Sequence, residues 1–248
     1  MKRLYGLIGF PLGHSFSASY FSDKFKAEKI DAEYRNFPME RMDDVRHFVE
    51  SNQSLQGFNV TIPHKQAIIP YLDDLSDAAE GIGAVNVVKI SRENGKPRLR
   101  GFNTDFIGFE DSLKPLLPVD CSSALVLGTG GASRAVVYAL KQLGISPHLV
   151  SRRSSKGILS YEDLDADIMV SNKLIVNCTP LGMFPNTDSV PPILWSEVNS
   201  DYLLYDLVYN PEQTKFMRMG LECGAKVKNG LEMLHRQAEA AWKIWTFE

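Results

Sequence analysis

The chain has 248 residues, 44% of them hydrophobic, which is enough to bury a large core in one domain or two. Its formal net charge is only −3, so it lacks the basic face of a typical nucleic-acid-binding protein, and we expect no nucleic-acid partner. Three irregularly spaced cysteines, Cys121, Cys178 and Cys223, argue against a disulfide scaffold and a zinc cluster. We expect free thiols and no bound metal.

The first hundred residues alternate between predicted strands and helices. The apolar run at 4–8 predicts a buried strand. Because Gly and Pro interrupt this run and no small-residue cleavage site follows, it does not have the pattern of a secretory signal peptide. The other predicted strands are 33–37, 56–61, 84–90 and 99–102, and the predicted helices are 19–30 and 40–50. Asn94 and Gly95, between the last two strands, are a strong hairpin signal.

The rest of the chain continues the alternation. We predict helices over 105–117, 131–143, 212–221 and 231–245, and strands over 123–127, 148–150, 174–177, 202–206 and 226–228. Strands that alternate with helices indicate an α/β fold with largely parallel sheets. We place a domain boundary near Asn103 and Thr104. No apolar stretch approaches the ~20 residues that span a bilayer, so we expect no membrane contact and a cytoplasmic location.

A Gly-rich turn lies between the predicted strand 123–127 and the helix after it. Gly128 permits a tight turn, and Gly130 lets the backbone approach a pyrophosphate at the helix N-terminus. The third position of the usual G-x-G-x-x-G pattern is Ser133, which is small enough to pack close to the strand. The strand–turn–helix context favours dinucleotide binding over a purely structural turn.

The residues after the next strand indicate which dinucleotide. An NAD site normally has Asp or Glu about 20 residues beyond the Gly-rich turn, bonded to the ribose hydroxyls. Here the strand ends in Ser151, Arg152, Arg153 and Ser154, with no carboxylate. A guanidinium pairs well with a ribose phosphate, so the sequence favours NADP over NAD. The alternative is a solvated basic loop.

Two polar sequence motifs end at a possible catalytic residue, one at a Lys and the other at an Asp. GFNVTIPHK ends at Lys65, and GFNTD ends at Asp105. In addition, Ser15 and Ser17 follow the first strand and could hold a carboxylate with their hydroxyls. The alternative for these serines is that they cap the following helix. We expect neither His14 nor His64, which flank the strings, to act as an acid or base.

Eight strings in order make the chain similar to the shikimate dehydrogenase family. They are GFPLGHSFS, GFNVTIPHK, GIGAVNVV, GFNTDFIGF, LGTGGASRAV, NCTPLGM, DLVYNP and GLEMLHRQA. The resemblance implies NADP-dependent, reversible reduction of 3-dehydroshikimate to shikimate on the way to chorismate and aromatic amino acids. It also implies an α/β fold of two domains: a substrate-binding catalytic domain over 1–103 and 232–248, and a doubly wound Rossmann-type NADP-binding domain over 104–231. The C-terminal helix returns to the first domain.

The resemblance also implies roles for individual residues. Lys65 and Asp105 would be the catalytic pair. The substrate would be bound by Ser15, Ser17, Thr61, Asn86, Tyr209 and Gln237. The cofactor would be bound by Gly128, Gly130, Gly131, Ala132, Ser151, Arg152, Arg153, Thr179, Gly230 and Met233.

The chemistry of the catalytic pair is consistent with these roles. Hydride addition to a ketone develops negative charge on oxygen, which the ammonium of Lys65 would stabilise and could protonate. A carboxylate at Asp105 would keep that ammonium charged and would raise its pKa, which opposes a base role in the reverse direction. Either Lys65 or Asp105 could carry the proton.

Three departures from the family pattern accompany the resemblance. Ala18 and Phe21 replace the usual Pro and His beside the serines. The stretch between Arg153 and the apolar run 158–161 is too short for the usual helix, since a parallel crossover needs about a dozen residues or more. Either a loop makes that connection or 158–161 is not the next parallel strand. In the family, this region builds part of the adenosine site.

Two other functions are compatible with these strings. One is a dehydrogenase that accepts quinate as well as shikimate and uses NAD. The other is a non-catalytic module that binds a pathway metabolite, although such a module would have no need of Lys65 and Asp105 together. We expect small-molecule partners only, and a monomer or a homodimer.

Overall fold

The computed structural model describes residues 2–13 and 15–247, so His14 lies outside the described residues. The chain divides into two compact units, Met1–Thr104 with Ala238–Glu248 and Asp105–Gln237. The functional division proposed above, with substrate on 1–103 and 232–248 and the dinucleotide on 104–231, stays a prediction.

The first unit is built on a mixed six-stranded sheet. Its elements are β1 (Arg3–Gly9), α1 (Phe16–Ala27), β2 (Ala32–Pro38), α2 (Val45–Ser51), β3 (Leu55–Val60), β4 (Asp74–Leu75), α3 (Asp77–Ile82), β5 (Val87–Glu93) and β6 (Lys96–Phe102). The strand order is β2-β1-β3-β5-β6-β4. Strand β1 is parallel to both β2 and β3, whereas β5 is antiparallel to β3 and β6.

Both faces of this sheet are covered. Alternate residues of β1 join different hydrophobic clusters: Leu4 and Ile8 pack with α2, and Tyr5 and Leu7 pack with α1 and the end of the C-terminal helix. This is the period of two that a strand buried on both faces requires. A Cβ added at Gly57 would lie 2.4 Å from the indole nitrogen of Trp245, so the close approach of that indole requires glycine there.

The predicted hairpin is confirmed. Strands β5 and β6 pair in antiparallel register from Val87↔Phe102 to Glu93↔Lys96. Asn94 and Gly95 form the turn with φ values of 52° and 80°. A two-residue hairpin of this type needs positive φ at both central residues, which Asn and Gly adopt most readily.

The second unit is built on a fully parallel six-stranded sheet. Its elements are α4 (Asp105–Leu113), β7 (Ser123–Leu127), α5 (Gly131–Gln142), β8 (Ser146–Ser151), β9 (Ile158–Ser160), α6 (Ala166–Ser171), β10 (Leu174–Asn177), β11 (Leu203–Asp206), α7 (Lys215–Glu222), β12 (Lys226–Lys228) and the first part of α8 (Leu231–Phe247), whose residues from Ala238 onward belong to the first unit. The strand order β12-β11-β10-β7-β8-β9 is that of a doubly wound dinucleotide-binding sheet. The predicted α/β fold with a Rossmann-type second part is confirmed.

The short connection after Arg153 is a loop. Residues 152–157 join β8 to β9, and the two strands are parallel, with Leu149 opposite Ile158 and Ser151 opposite Ser160. Strand β9 begins opposite Leu149, two residues before the end of β8. The loop therefore has to return along the strand direction by only about 7 Å, at roughly 3.3 Å per residue. A helix is therefore not needed, and 158–160 is the next parallel strand.

Two expectations about helix starts were wrong by three residues. Helix α1 begins at Phe16 instead of residue 19, because Ser15 caps it. Helix α7 begins at Lys215 instead of residue 212, because Thr214 caps it through the amide of Met217. The cysteines are free thiols. Within residues 2–13 and 15–247, we find no helix with the length and apolar character to cross a membrane.

Candidate functional site

Ser15 lies at the N-terminus of α1, where its Oγ accepts a hydrogen bond from the backbone amide of Ala18 at 3.2 Å. The capping alternative for this serine is therefore correct. It does not exclude a binding role, because the cap uses an oxygen lone pair and not the hydroxyl hydrogen. A hydroxyl can accept from an amide and donate to a ligand at the same time.

A buried polar network starts at Tyr34 on β2. The Tyr34 hydroxyl donates to Asn59 Oδ1 at 2.7 Å. Asn59 Nδ2 in turn donates to the backbone oxygen of Asn86 at 3.2 Å. Burial raises the pKa of Tyr34 well above its ordinary value.

The network continues to the end of the first unit. Asn86 Oδ1 accepts from the Thr104 amide at 2.7 Å, and Asn86 Nδ2 donates to Thr104 Oγ1 at 3.0 Å. Both residues are almost fully buried. Since Thr104 precedes Asp105, this pair of bonds fixes the backbone that leads into α4. Tyr34 was missed from the sequence because it lies in none of the motifs quoted above, whereas Asn59 lies in GFNVTIPHK but was given no role.

Thr61 and Lys65 follow β3. The Thr61 amide donates to the Ile8 carbonyl at 2.9 Å, and the Lys65 carbonyl accepts from the Val85 amide at 2.7 Å. These bonds anchor the backbone of the Lys65 segment to β1 and to Val85, the residue before Asn86. His64 is buried, and its Nε2 lies 2.6 Å from the Met39 carbonyl. This contact gives His64 a structural role, and the expectation that it is not an acid or base stays a prediction.

Three other predicted site residues, Asp105, Tyr209 and Gln237, belong to the second unit. That they share one site with Ser15, Ser17, Thr61, Lys65 and Asn86 stays a prediction. Asp105 is buried and begins α4. Tyr209 follows β11 and is 41% exposed. Gln237 is buried on α8, and its Nε2 donates to the Leu234 carbonyl at 3.0 Å.

The Gly-rich turn has the geometry that a pyrophosphate needs. Gly128 has φ +104°, a value that residues other than glycine rarely adopt. Gly130 caps α5 without a side-chain hydrogen bond. A Cβ added at Gly130 or Gly131 would meet no atom of the described residues within 4 Å. The amides of the first helical turn, which includes Ala132, are therefore open to an anion.

The third position of the glycine pattern is confirmed as a packing position. Ser133 is 1% exposed, and its hydroxyl donates to the Gly130 carbonyl at 2.7 Å. Thr179, at the end of the neighbouring strand β10, approaches the same turn: its Cγ2 would lie 3.1 Å from a Cβ on Gly128. The turn and Thr179 thus lie together where the strand order reverses, which is where open α/β sheets bind ligands.

Asp206, which was missed from the sequence, is the centre of a hydrogen-bond network at this edge of the sheet. Its carboxylate accepts from Thr214 Oγ1 at 2.6 Å, Asn177 Nδ2 at 2.9 Å and the Val208 amide at 3.0 Å. Asn177 Oδ1 accepts from the amide and hydroxyl of Thr179. Burial raises the pKa of Asp206 to about 6, against the lowering effect of its hydrogen bonds.

The basic residues lie at the same end of the sheet. Ser151 ends β8, and Arg152 and Arg153 follow it on the loop 152–157, where both are exposed. No Asp or Glu ends this strand. The strand end therefore offers two guanidinium groups and has no carboxylate that could bind ribose hydroxyls. The donor set therefore fits a nucleotide with a ribose phosphate.

Gly230 and Met233 lie at the start of α8. A Cβ added at Gly230 would come within 2.1 Å of the Leu207 carbonyl oxygen, so close backbone packing alone explains that glycine. Met233 is buried in the hydrophobic core of the second unit. A contact of either residue with a nicotinamide stays a prediction.

Comparison with known proteins identifies the family. The family model for the shikimate dehydrogenase substrate binding domain matches residues 7–88. The shikimate dehydrogenase (NADP(+)) of Methanococcus maripaludis is 38% identical over 98% of this chain and 91% of that protein. The shikimate dehydrogenase (NADP(+)) of Aquifex aeolicus is 39% identical over 98% of this chain and 91% of that protein.

A solved structure gives the same relationship. The crystal structure of shikimate 5-dehydrogenase from Thermus thermophilus, in complex with NADP(H) and shikimate, has a TM-score of 0.85 and 29% sequence identity over 98% of this chain and 93% of that one. With relatives above 30% identity along almost its whole length, the chain belongs to the shikimate dehydrogenase family.

Proposed function

We propose that this protein catalyses the reversible, NADP-dependent reduction of 3-dehydroshikimate to shikimate, a step toward chorismate and the aromatic amino acids. The observation that carries the proposal is the 38% identity, over 98% of the chain, to a shikimate dehydrogenase (NADP(+)). The buried polar network of the first unit and the open helix N-terminus of the second supply the two kinds of binding surface that the reaction needs.

The substrate is a small anion with several hydroxyls, so its recognition depends on hydrogen-bonding groups. We assign its carboxylate to the hydroxyls of Ser15 and Ser17. Thr61, Asn86, Tyr209 and Gln237 take the ring hydroxyls and the remaining carboxylate contacts. Asn86 suits this role because its side chain is held by Thr104 and does not have to be ordered on binding.

The reaction needs positive charge beside the substrate ketone. NADPH, when bound, supplies the hydride that adds to the carbonyl carbon. The ammonium of Lys65 stabilises the negative charge that develops on oxygen, and the Lys65–Asp105 pair supplies the proton. In the reverse direction the pair takes the proton from the shikimate hydroxyl as the hydride leaves the ring carbon.

The cofactor is assigned to the second unit. The amides that follow Gly128, Gly130 and Gly131 would bind the pyrophosphate, with Ala132 in the same helical turn. Arg152, with Ser151 and Arg153, would bind the ribose phosphate. Thr179, Gly230 and Met233 would lie along the nicotinamide half.

The proposal is tested by following NADP reduction at 340 nm with purified protein and shikimate. The same assay with NAD, and with quinate in place of shikimate, tests the dual-specificity alternative. We expect turnover with NADP and shikimate and much lower kcat/KM for the other pairs. Absence of any shikimate-dependent reduction by folded protein would contradict the proposal and favour a non-catalytic binding module. The monomeric or dimeric state and the cytoplasmic location stay predictions.

A further inference from the structure

Asn177, the last residue of β10, is fully buried and has no role among the predicted site residues. Its side-chain oxygen accepts two hydrogen bonds from Thr179, one from the backbone amide at 3.0 Å and one from the hydroxyl at 2.6 Å. Its side-chain nitrogen donates to Asp206 Oδ1 at 2.9 Å. Asn177 therefore links a predicted cofactor residue to a buried carboxylate on the neighbouring strand β11.

The orientation of the Asn177 side chain is fixed by its two partners. A backbone amide can only donate, so the oxygen of Asn177 has to face Thr179. An ionised carboxylate can only accept, so the nitrogen has to face Asp206. Asparagine carries both an acceptor and a donor in a short side chain, whereas aspartate would place a second carboxylate against Asp206. The position thus requires an amide.

Asp206 holds Asn177 from the opposite position in the parallel register of β10 and β11. The carboxylate is itself fixed by bonds from the Val208 amide at 3.0 Å and the Thr214 hydroxyl at 2.6 Å. Asp206, Thr214 and Asn177 are all 0% exposed. Because water does not compete for these bonds, they hold the Asn177 side chain in one place.

The position of Thr179 follows from that of Asn177. The hydroxyl and the methyl group of threonine share one carbon, so a bond that fixes the hydroxyl also fixes the methyl group. With its hydroxyl on Asn177, Thr179 directs Cγ2 to the Gly-rich turn, where it would lie 3.1 Å from a Cβ on Gly128. The Cys178 amide donates to the Leu127 carbonyl at 2.9 Å beside the same turn.

A local turn accounts for only part of this arrangement. Asparagine side chains often accept from the backbone amide two residues further on, and Asn177 also donates to the Leu181 carbonyl at 3.4 Å. A local turn of this kind needs neither a buried carboxylate 29 residues away nor the approach of Thr179 to Gly128. Asn177 therefore does more than close its own turn.

We propose that Asn177, anchored by Asp206, is a positioning residue of the cofactor site that holds Thr179 in place beside the Gly-rich turn before the cofactor binds. The inference rests on the proposed function, since it concerns the NADP site assigned there, with Thr179 along the nicotinamide half. Without Asn177, the Thr179 segment would become ordered only when NADP binds, and this ordering weakens binding.

The test compares Asn177→Ala with wild type in the binding of NADP and of adenosine 2′,5′-bisphosphate, measured by isothermal titration calorimetry. The bisphosphate has the adenosine and ribose phosphate of NADP but lacks the nicotinamide half. We expect Kd for NADP to rise about three- to tenfold, the cost of ordering a side chain at a binding surface. Kd for the bisphosphate should stay within about twofold of wild type, whereas a loosened fold would weaken both ligands.

Thr179→Val tests the same link from the partly exposed loop and keeps the inference testable if Asn177→Ala does not fold. It removes the hydroxyl that bonds to Asn177 and keeps the methyl group. We expect a smaller rise in Kd that is also confined to NADP. In the Asn177→Ala background, Thr179→Val should have no further effect.

Two variants control for lost stability. Asn172→Ala is the matched control, because Asn172 lies beyond the other end of β10, is 4% exposed and donates to the Ile168 carbonyl at 2.8 Å. Thr214→Val removes the Asp206 bond that leads to the cap of α7 and not to Thr179. Both variants should lower the free energy of unfolding and leave both dissociation constants unchanged.

The outcomes separate the inference from the proposed function. If folded wild type does not bind NADP, both fail. If it binds NADP but does not reduce it with shikimate, the proposed function fails, while a selective loss in Asn177→Ala would still support the inference. If wild type is active and Asn177→Ala leaves Kd for NADP unchanged, only the inference is overturned. It is also overturned if both ligands weaken equally, if Asn172→Ala has the same effect, or if the Asn177 and Thr179 effects simply add.

Discussion

Ser15 Oγ and the Ala18 amide are joined by a 3.2 Å capping hydrogen bond at the start of α1, and Ser76 Oγ and the Ala79 amide form the same bond at 3.2 Å at the start of α3. Both serines cap the N-terminus of a helix in the first unit. Only Ser15 lies beside the proposed carboxylate site, so the pair separates the cost of a lost cap from the cost of a lost ligand contact.

We expect Ser15→Ala and Ser76→Ala to lower the free energy of unfolding equally, by about 1 kcal/mol. Only Ser15→Ala should raise KM for shikimate. Loss of a hydroxyl from a charged acceptor costs roughly 1.5–3 kcal/mol, or about tenfold to hundredfold in KM. Urea unfolding and steady-state kinetics provide the measurements. An unchanged KM in Ser15→Ala would remove this serine from the site and leave it a helix cap.

Replacement of Lys65 should affect turnover more than binding. A charge directed at the developing oxyanion acts mainly in the transition state, so Lys65→Ala should lower kcat by orders of magnitude with a small change in KM. Lys96→Ala, beside the exposed hairpin turn, is the control and should behave as wild type. Near-normal kcat in purified Lys65→Ala would contradict the catalytic assignment.

Alanine at Gly130 should separate stability from cofactor binding. Gly130 has φ −79° and ψ −174°, which alanine also adopts, and its Cβ would meet no described atom within 4 Å. We expect Gly130→Ala to keep or slightly raise the free energy of unfolding and to raise KM for NADP, because the methyl group would occupy the pyrophosphate position.

Gly128→Ala is the matched variant for this turn. With φ +104° and Thr179 Cγ2 at 3.1 Å from the added Cβ, it should destabilise the fold by about 1–3 kcal/mol. If Gly130→Ala lowered stability as much as Gly128→Ala and left KM for NADP unchanged, the turn would be structural only.

Arg152 should select NADP over NAD. A charge-assisted contact with the ribose phosphate is worth roughly 1.5–3 kcal/mol, or about tenfold to hundredfold. Arg152→Ala should therefore raise KM for NADP and barely change that for NAD. Arg218→Ala, an exposed arginine on α7 of the same unit, should change neither. Equal loss of both cofactors, or equal use of NAD and NADP by wild type, would refute this role.

Asp206 should make stability depend on pH in a defined direction. Its folded pKa of about 6 lies above the ordinary value of 3.8, so the folded state binds the extra proton between about pH 4 and 6. The contribution of Asp206 to the free energy of unfolding therefore falls as pH rises through this range. The total change is about 3 kcal/mol, at roughly 1.4 kcal/mol per pKa unit.

Asp206→Asn provides the reference, because asparagine does not titrate. The stability of wild type minus that of Asp206→Asn, measured by urea unfolding, should decrease between pH 4 and pH 6.5. A difference that stays constant, or that increases with pH, would show that the carboxyl is not raised above its ordinary pKa in the folded protein.

Local patterns were enough to predict much of the fold. The run at 123–127, the glycines after it and the helix beyond are consecutive in the chain, and so are Asn94 and Gly95 with their flanking strands. Short elements escaped detection: α3 and α6 have six residues each, which is too few for helical periodicity to show. Helix 105–117 was predicted too long, since α4 ends at Leu113 and a short 3₁₀ turn follows.

By itself, the sequence determined the α/β class, the Gly-rich turn, the basic residues at the end of β8 and the family, because each depends on residues close together or on strings in order. Only the tertiary structure decided that residues 152–157 form a loop between parallel strands. It also decided that Tyr34 and Asn59 share a hydrogen bond across β2 and β3, and that Asp206 binds Asn177 and Thr214. Tyr34 and Asn59 are 25 residues apart in the chain and Asn177 and Asp206 are 29 apart, and hydrogen bonds over such separations leave no local pattern to detect.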